Sequence, residues 1–191
     1  MEKQKKMIDT LNEKQKAFTQ DWMDYWTQYS ALDTWQFWFL VVMFFLPLII
    51  LYFKLDRRKA FQLGFFGFNI HVWLGYIDRF GVNKGFWEYP YQWFMLLPSN
   101  VSLDASLIPV IYILLYQWIL NNNKNFYLYM ILLSAGLSFI FKPIIVLHFF
   151  LRFYIPMPYL YLFAGYLVII FLSKAITDIF HHFQHEKTRH K

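Results

Sequence analysis

The chain has 191 residues, of which 58% are hydrophobic, 24% aromatic and 16% charged, with a formal net charge of +6. Soluble domains carry about 25% charged residues, so the composition leans toward the membrane class, as does the mean hydropathy of +0.32. The absence of cysteine excludes disulfides, thiol catalysis and Cys-ligated metal centres. The basic excess sits mostly in two tails and one short loop with no nucleic-acid motif, so it reads as membrane topology and no nucleic-acid partner is expected.

Residues 1–33 come first and are mostly polar, the wrong order for a cleavable signal peptide. Within them Leu11, Gln15, Phe18, Trp22, Tyr25, Tyr29 and Leu32 recur at steps of four and three, one face of a helix. The stripe is bulky, aromatic and short, and it lacks the Leu/Ile core of a coiled coil. An amphipathic helix in the headgroup layer fits it best, because Trp and Tyr favour that layer. A partner-binding helix and a disordered tail are the alternatives.

Five spans follow. A helix needs about 20 mostly apolar residues to cross the hydrocarbon core, and Thr34–Phe53, Val101–Leu120, Phe126–His148 and Met157–Ile179 each supply them. Ala60–Ile77 is less apolar, interrupted by Asn69 and His71, but long enough. Backbone polar groups must be satisfied within lipid, and there is no short alternating pattern of barrel strands. The expected fold is therefore an all-α integral membrane bundle. It comprises an N-terminal amphipathic helix (1–33), a five-span domain (34–180) and a basic, His-rich tail (181–191).

Loop charge orients the bundle. Lys54, Arg57, Arg58 and Lys59 make the densest basic loop and are expected in the cytoplasm. The C-terminus then lies inside, and the odd number of spans puts the N-terminus outside.

The polar residues of the spans are the candidates for chemistry. Gly64, Gly67, His71, Gly75 and Asp78 step by three or four along the second span, so the glycines are expected on a close-packing face. At 1.5 Å per residue, His71 lies roughly 10–12 Å from the outer end of its span, and Lys142 about 9 Å from the outer end of the fourth. Asp104 enters the third span in its first turn, while Asp78, Glu88, His148 and Arg152 mark the outer boundary. This common depth predicts an outward-opening polar pocket formed by His71, Asp78, Glu88, Asp104, Lys142 and His148, with Lys142 paired to Asp104, since charges at depth are normally paired. Each residue also has a plainer explanation. His71 can satisfy itself in one interhelical bond, Asp104 can sit at a helix N-terminus for its dipole, and Lys142 can snorkel. Lys174 and Asp178 are expected to form a local i,i+4 ion pair. His181 and His185 share the i,i+4 spacing of metal ligands, but no acid lies between them, and a solvated tail is expected instead. No metal and no cofactor is expected.

The segment 71–93 crowds aromatic rings at the outer boundary, where amphipathic rings are favoured. "LDRRK", "DRFGVNKGFWEY" and "LPSN…LIPVIYILLYQW" together resemble a family of small multi-pass membrane proteins of spore-forming Gram-positive bacteria over roughly residues 35–180. The resemblance implies a bacterial plasma membrane and carries no catalytic residue, substrate or cofactor.

Three functions are compatible with these residues. The first is a non-enzymatic structural or regulatory protein, whose partners are the bilayer and a membrane protein or a second copy of the chain. It is favoured by the lack of a catalytic motif and by short cytoplasmic loops. The second is a small-solute or proton/ion carrier using His71, Asp104 and Lys142. The third is an intramembrane lipid-handling enzyme with His71 and an aspartate as acid/base pair, for which a nucleophile or metal is missing.

Overall fold

The computed structural model describes residues 1–94 and 99–189, with residues 185–189 described as backbone only. The described residues are overwhelmingly helical, and the helices follow the apolar runs. Helix α1 spans Glu2–Tyr29 and α2 spans Trp35–Lys54, with Thr34 capping α2 by accepting from the Phe37 N–H. A short 3₁₀ turn at Arg57–Lys59 leads into α3, Ala60–Asn83. A π-helical segment at Leu103–Leu107 opens α4, Ile108–Asn121. Helix α5 (Phe126–Gly136) passes through a second π segment, Leu137–Phe141, into α6 (Lys142–Leu147). Helix α7 spans Pro158–Arg189. Between helices, β1 (Trp87–Glu88) and β2 (Arg152–Phe153) pair antiparallel, Trp87 opposite Phe153.

Among the described residues, four helices are long and apolar enough to cross a membrane: Trp35–Lys54, Leu103–Asn121, Phe126–Leu147 and Pro158–Gln184. Their outer faces are greasy. On α2, for example, Val42, Phe45, Leu46 and Ile49 are exposed. A wide apolar exterior around a packed core suits lipid as the surrounding solvent.

Helix α3 is not among those four. It runs six residues beyond the expected end at Ile77, giving about 36 Å at 1.5 Å per residue. Its Leu63, Phe66 and Ile70 are wholly buried. Near its start Gln62 donates to the Tyr116 hydroxyl of α4, and Phe65 touches Phe180 of α7. Near its end Asp78 meets Asp104, just ahead of α4. It therefore lies antiparallel to both neighbours over its length, and their cover explains how it can carry polar residues that a lipid-facing helix would not.

The two ends of the bundle are distinct. At one, the Asp56 N–H donates to Gln117, Gln117 donates to the Lys54 carbonyl, and Lys59 donates to Asn121. At the other are the strand pair, the start of α2 and the end of α1. Among the described residues, the contacts of α1 with the rest of the chain come from its C-terminal turns. Trp26 Nε1 and Ser30 Oγ both donate to the Gln92 carbonyl, at 2.6 and 2.9 Å. No residue of α1 is buried.

The expected separate tail is instead a continuation of α7 to Arg189. The side chains of His185, Lys187 and Arg189 lie outside the described residues, as does Lys191. Lys174 and Asp178 do form the i,i+4 ion pair, and the Lys174 ammonium also lies 5.4 Å from the Phe126 ring centroid.

Candidate functional site

Both π segments have the same local cause. A proline donates no N–H, and its ring crowds the carbonyl four residues back. Pro109 and Pro143 each follow a π segment by two residues. Widening the turn moves the bonds one residue on: the Ile108 N–H reaches the Leu103 carbonyl, and the Lys142 N–H reaches that of Leu137. Such bulges recur at functional sites because they re-aim side chains. Here one contains Asp104 and the other ends directly before Lys142.

The bulge before Pro109 leaves the Asp104 carbonyl without a donor five residues on. His71 fills the gap, its Nδ1 lying 2.9 Å from the Asp104 oxygen. A carbonyl only accepts, so Nδ1 carries the hydrogen. The neighbouring serines pin the same segment to α2, with Ser102 Oγ donating to the Leu40 carbonyl and Ser106 Oγ to that of Phe44. Hydrogen bonds of this kind replace the hydrophobic drive that is absent between helices in lipid.

Asp78 of α3 is buried, not at the bundle's edge as its position in the sequence implied. Its Oδ1 accepts from Trp87 Nε1 at 2.9 Å and from the Tyr89 hydroxyl at 2.6 Å. Burial, then the carboxyls of Asp78 and Asp104, push the Tyr89 hydroxyl well above the usual tyrosine range, so it remains a donor. The Asp78 carboxyl also lies within interaction range of that of Asp104. Lys142 is buried and acts on both carboxyls through space, making a direct ion pair with neither.

These three side chains form the end of a cavity of about 470 Å³. Leu74 and Ile77 of α3 and Leu162, Gly165 and Ile169 of α7 line its walls, and Trp87, Tyr89 and Phe153 close the end of the bundle above it. Its remaining flank carries Ile77, Phe80 and Tyr161, which are 40%, 57% and 59% exposed on the bundle's outer surface. Polar groups gather at the inner end and the walls are apolar.

The expected pocket thus holds together in part. Asp78, Asp104 and Lys142 line one cavity. His71 stands behind it, bonded to the backbone and not to the space. Glu88 faces outward on β1, taking a hydrogen bond from the Tyr154 hydroxyl and an ion pair from Arg152 at 3.9 Å. His148 is exposed at the end of α6. Glu88 and His148 therefore fall outside the site, because the strand pair lifts one and the helix end turns the other outward. The three glycines also divide. A side chain at Gly67 would collide with Ile113 of α4, whereas Gly64 and Gly75 face open space. Gly81 is the other tight position, packed under the Trp87 ring. Tyr89 and Trp87, the donors to Asp78, were legible only as boundary aromatics. Among the described residues no group of three or more His, Asp or Glu is placed to hold a metal.

Compared with family models, with curated proteins and with solved structures, the chain gives no match.

Proposed function

We propose that this is a five-span membrane protein of the bacterial plasma membrane that binds an amphiphilic ligand in the cavity between α3 and α7. The observation that carries the reading is the cavity itself, which has apolar walls, a flank at the lipid-facing surface and three ionisable side chains at its inner end. Sites for small ligands typically enclose about 300–1,000 Å³, mostly apolar with a few placed polar groups; this one, at about 470 Å³, has room for one chain. A carrier of hydrophilic solutes or ions would need polar groups along the whole route. Here they stop at the inner end.

Counting α3 as a span rests on its length and on its course between two apolar helices. The basic loop Lys54, Arg57, Arg58, Lys59 then faces the cytoplasm with the C-terminus, and the cavity belongs to the outer half. Helix α1 lies on the outer headgroup layer: it is tethered by Trp26 and Ser30, while Met7, Ile8, Leu11 and Phe18 remain exposed.

Gly165 provides the test. It lines the cavity, and a Cβ there meets nothing within 4 Å, so Gly165→Leu fills the space without disturbing the helix. Intact-mass measurement of protein released from its own membrane should find a co-purified amphiphile on the wild type and none on Gly165→Leu, at unchanged melting temperature. Equal retention by both, or none on the wild type, overturns the reading.

A further inference from the structure

The end of the cavity holds an atom set that its own residues do not complete. Oδ2 of Asp78 and Oδ2 of Asp104 are both buried and take no hydrogen bond from any donor group among the described residues. Yet the two carboxyls lie within interaction range of one another at the end of the same cavity. Ionised carboxylates only accept, so two of them at such range repel, whereas one hydrogen placed between them satisfies both. Carboxyl pairs in such sites share a proton for this reason.

Charge balance points the same way. Besides the two acids, the titratable groups facing the pair among the described residues are Lys142 from α6, Tyr89 from the loop after β1 and Tyr166 from α7, while Tyr112 of α4 stands behind Tyr166 and bonds to Ser134. His71, on α3, reaches only the Asp104 backbone. The tyrosines are neutral. Two carboxyls sharing one proton carry a single negative charge, and Lys142 cancels it. A buried cluster is held to neutrality because an uncompensated charge in a poorly solvated site is costly.

We propose that the cavity exchanges the proton shared by Asp78 and Asp104 for the protonated primary amine of a chain-bearing ligand. The inference rests on the cavity being a ligand site and names the head group that site selects. The exchange balances: the proton leaves to water, the ammonium donates to the two carboxylates in its place, and the net charge with Lys142 stays at zero. An anionic head could pair with Lys142 only if the carboxyl pair took up a second proton, so its capture would weaken as pH rises, opposite to that of the amine. A neutral alcohol could donate one hydrogen bond but could not release the proton. The apolar walls formed by Leu74, Leu162 and Ile169 receive the chain. The same ammonium chemistry could arrive on a free alkylamine or on a phospholipid with a primary amine head.

The experiment uses the full chain in nanodiscs of phosphatidylcholine. Photoreactive alkyl probes of equal length, ending in a primary amine, an alcohol or a carboxylate, are crosslinked and counted by intact mass. The amine stays protonated between pH 6 and 8, its ordinary pKa being about 10.4 as in lysine. Amine capture should exceed alcohol capture, and its affinity should rise by as much as tenfold per pH unit as one proton is released per ligand; alcohol capture should not change with pH. Gly165→Leu should abolish all specific capture. Competition by phosphatidylethanolamine would identify the lipid as the source, and its absence the free amine. Equal, pH-independent capture of all three probes that Gly165→Leu still blocks would overturn the head-group inference while leaving the cavity a binding site. Capture insensitive to Gly165→Leu would overturn both.

Discussion

His71 Nδ1 donates to the backbone carbonyl of Asp104 across 2.9 Å, joining α3 to the π segment ahead of α4. The bond exists because Pro109 has no hydrogen to offer that carbonyl, so the histidine repairs a defect that the proline creates. His71→Phe should leave a buried carbonyl unpaired, at a cost of about 1–3 kcal/mol. Pro109→Ala returns an N–H within reach. The double variant His71→Phe/Pro109→Ala should therefore lose less than the sum of the singles in thermal unfolding in detergent. Strict additivity would show that the two residues do not serve the same oxygen.

Lys142 balances the acid pair without touching it. Lys142→Met should destabilise by about 3–5 kcal/mol, the range for removing one partner of a buried charge set. Asp104→Asn should also lower the melting temperature, and combining the two should recover part of the loss. If the losses add, the lysine's charge is neutralised elsewhere.

The glycines of α3 separate packing from propensity. Gly67→Ala drives a methyl into Ile113 and should cost about 1–3 kcal/mol, the range for overpacking, with Ile113→Ala partly relieving it. Gly64→Ala meets open space and should be neutral or stabilising by up to about 1 kcal/mol, the helix preference of Ala over Gly. Thermal melts of the three variants decide it.

A chain without cysteine allows single-cysteine topology mapping. In intact cells a membrane-impermeant maleimide should label Asn83→Cys, while Arg57→Cys and Lys124→Cys should react only after permeabilisation. Labelling of positions 57 and 83 from the same side would remove α3 from the spans. Reversal of all three would invert the orientation.

Among the described residues, helix α1 is held at its C-terminal end. A peptide of residues 5–32 should be weakly structured in water, where short helices are marginal. On vesicles it should become helical, with its tryptophan emission moving to the blue. Anionic lipid should strengthen binding through Lys14 and Lys16 by roughly 1 kcal/mol each, and salt should weaken that increment. A peptide that ignores vesicles but folds with the detergent-solubilised span region would make the aromatic stripe a protein-docking face.

Much of the helical framework was readable locally. Apolar runs of span length are a property of consecutive residues, so α2 and the helices ending at Asn121 and Leu147 follow the expected ranges within a few residues, and α7 starts where expected but runs on past Ile179 to Arg189. Asp104 and Lys142 were recognisable as related because depth along a helix is a simple count. Asp78 was placed at the edge because its span was expected to stop at Ile77, and nothing in residues 78–83 announces that neighbours will cover the helix through that turn.

What the sequence by itself determined about this protein is therefore which segments are helices apolar enough for lipid, and which ionisable residues lie deep along them. Only the tertiary structure decided how those helices face one another. In lipid a leucine gains little by turning inward, so apolar periodicity says little about lateral packing, and the faces are chosen by a few polar contacts and close approaches, such as Gly67 against Ile113. The site depended on those choices. Asp78 meets Asp104 because α3 lies antiparallel to α4, Trp87 on β1 and Tyr89 just after it reach Asp78 from a strand held by its distant partner Arg152–Phe153, and two prolines widened their helices where Asp104 and Lys142 stand.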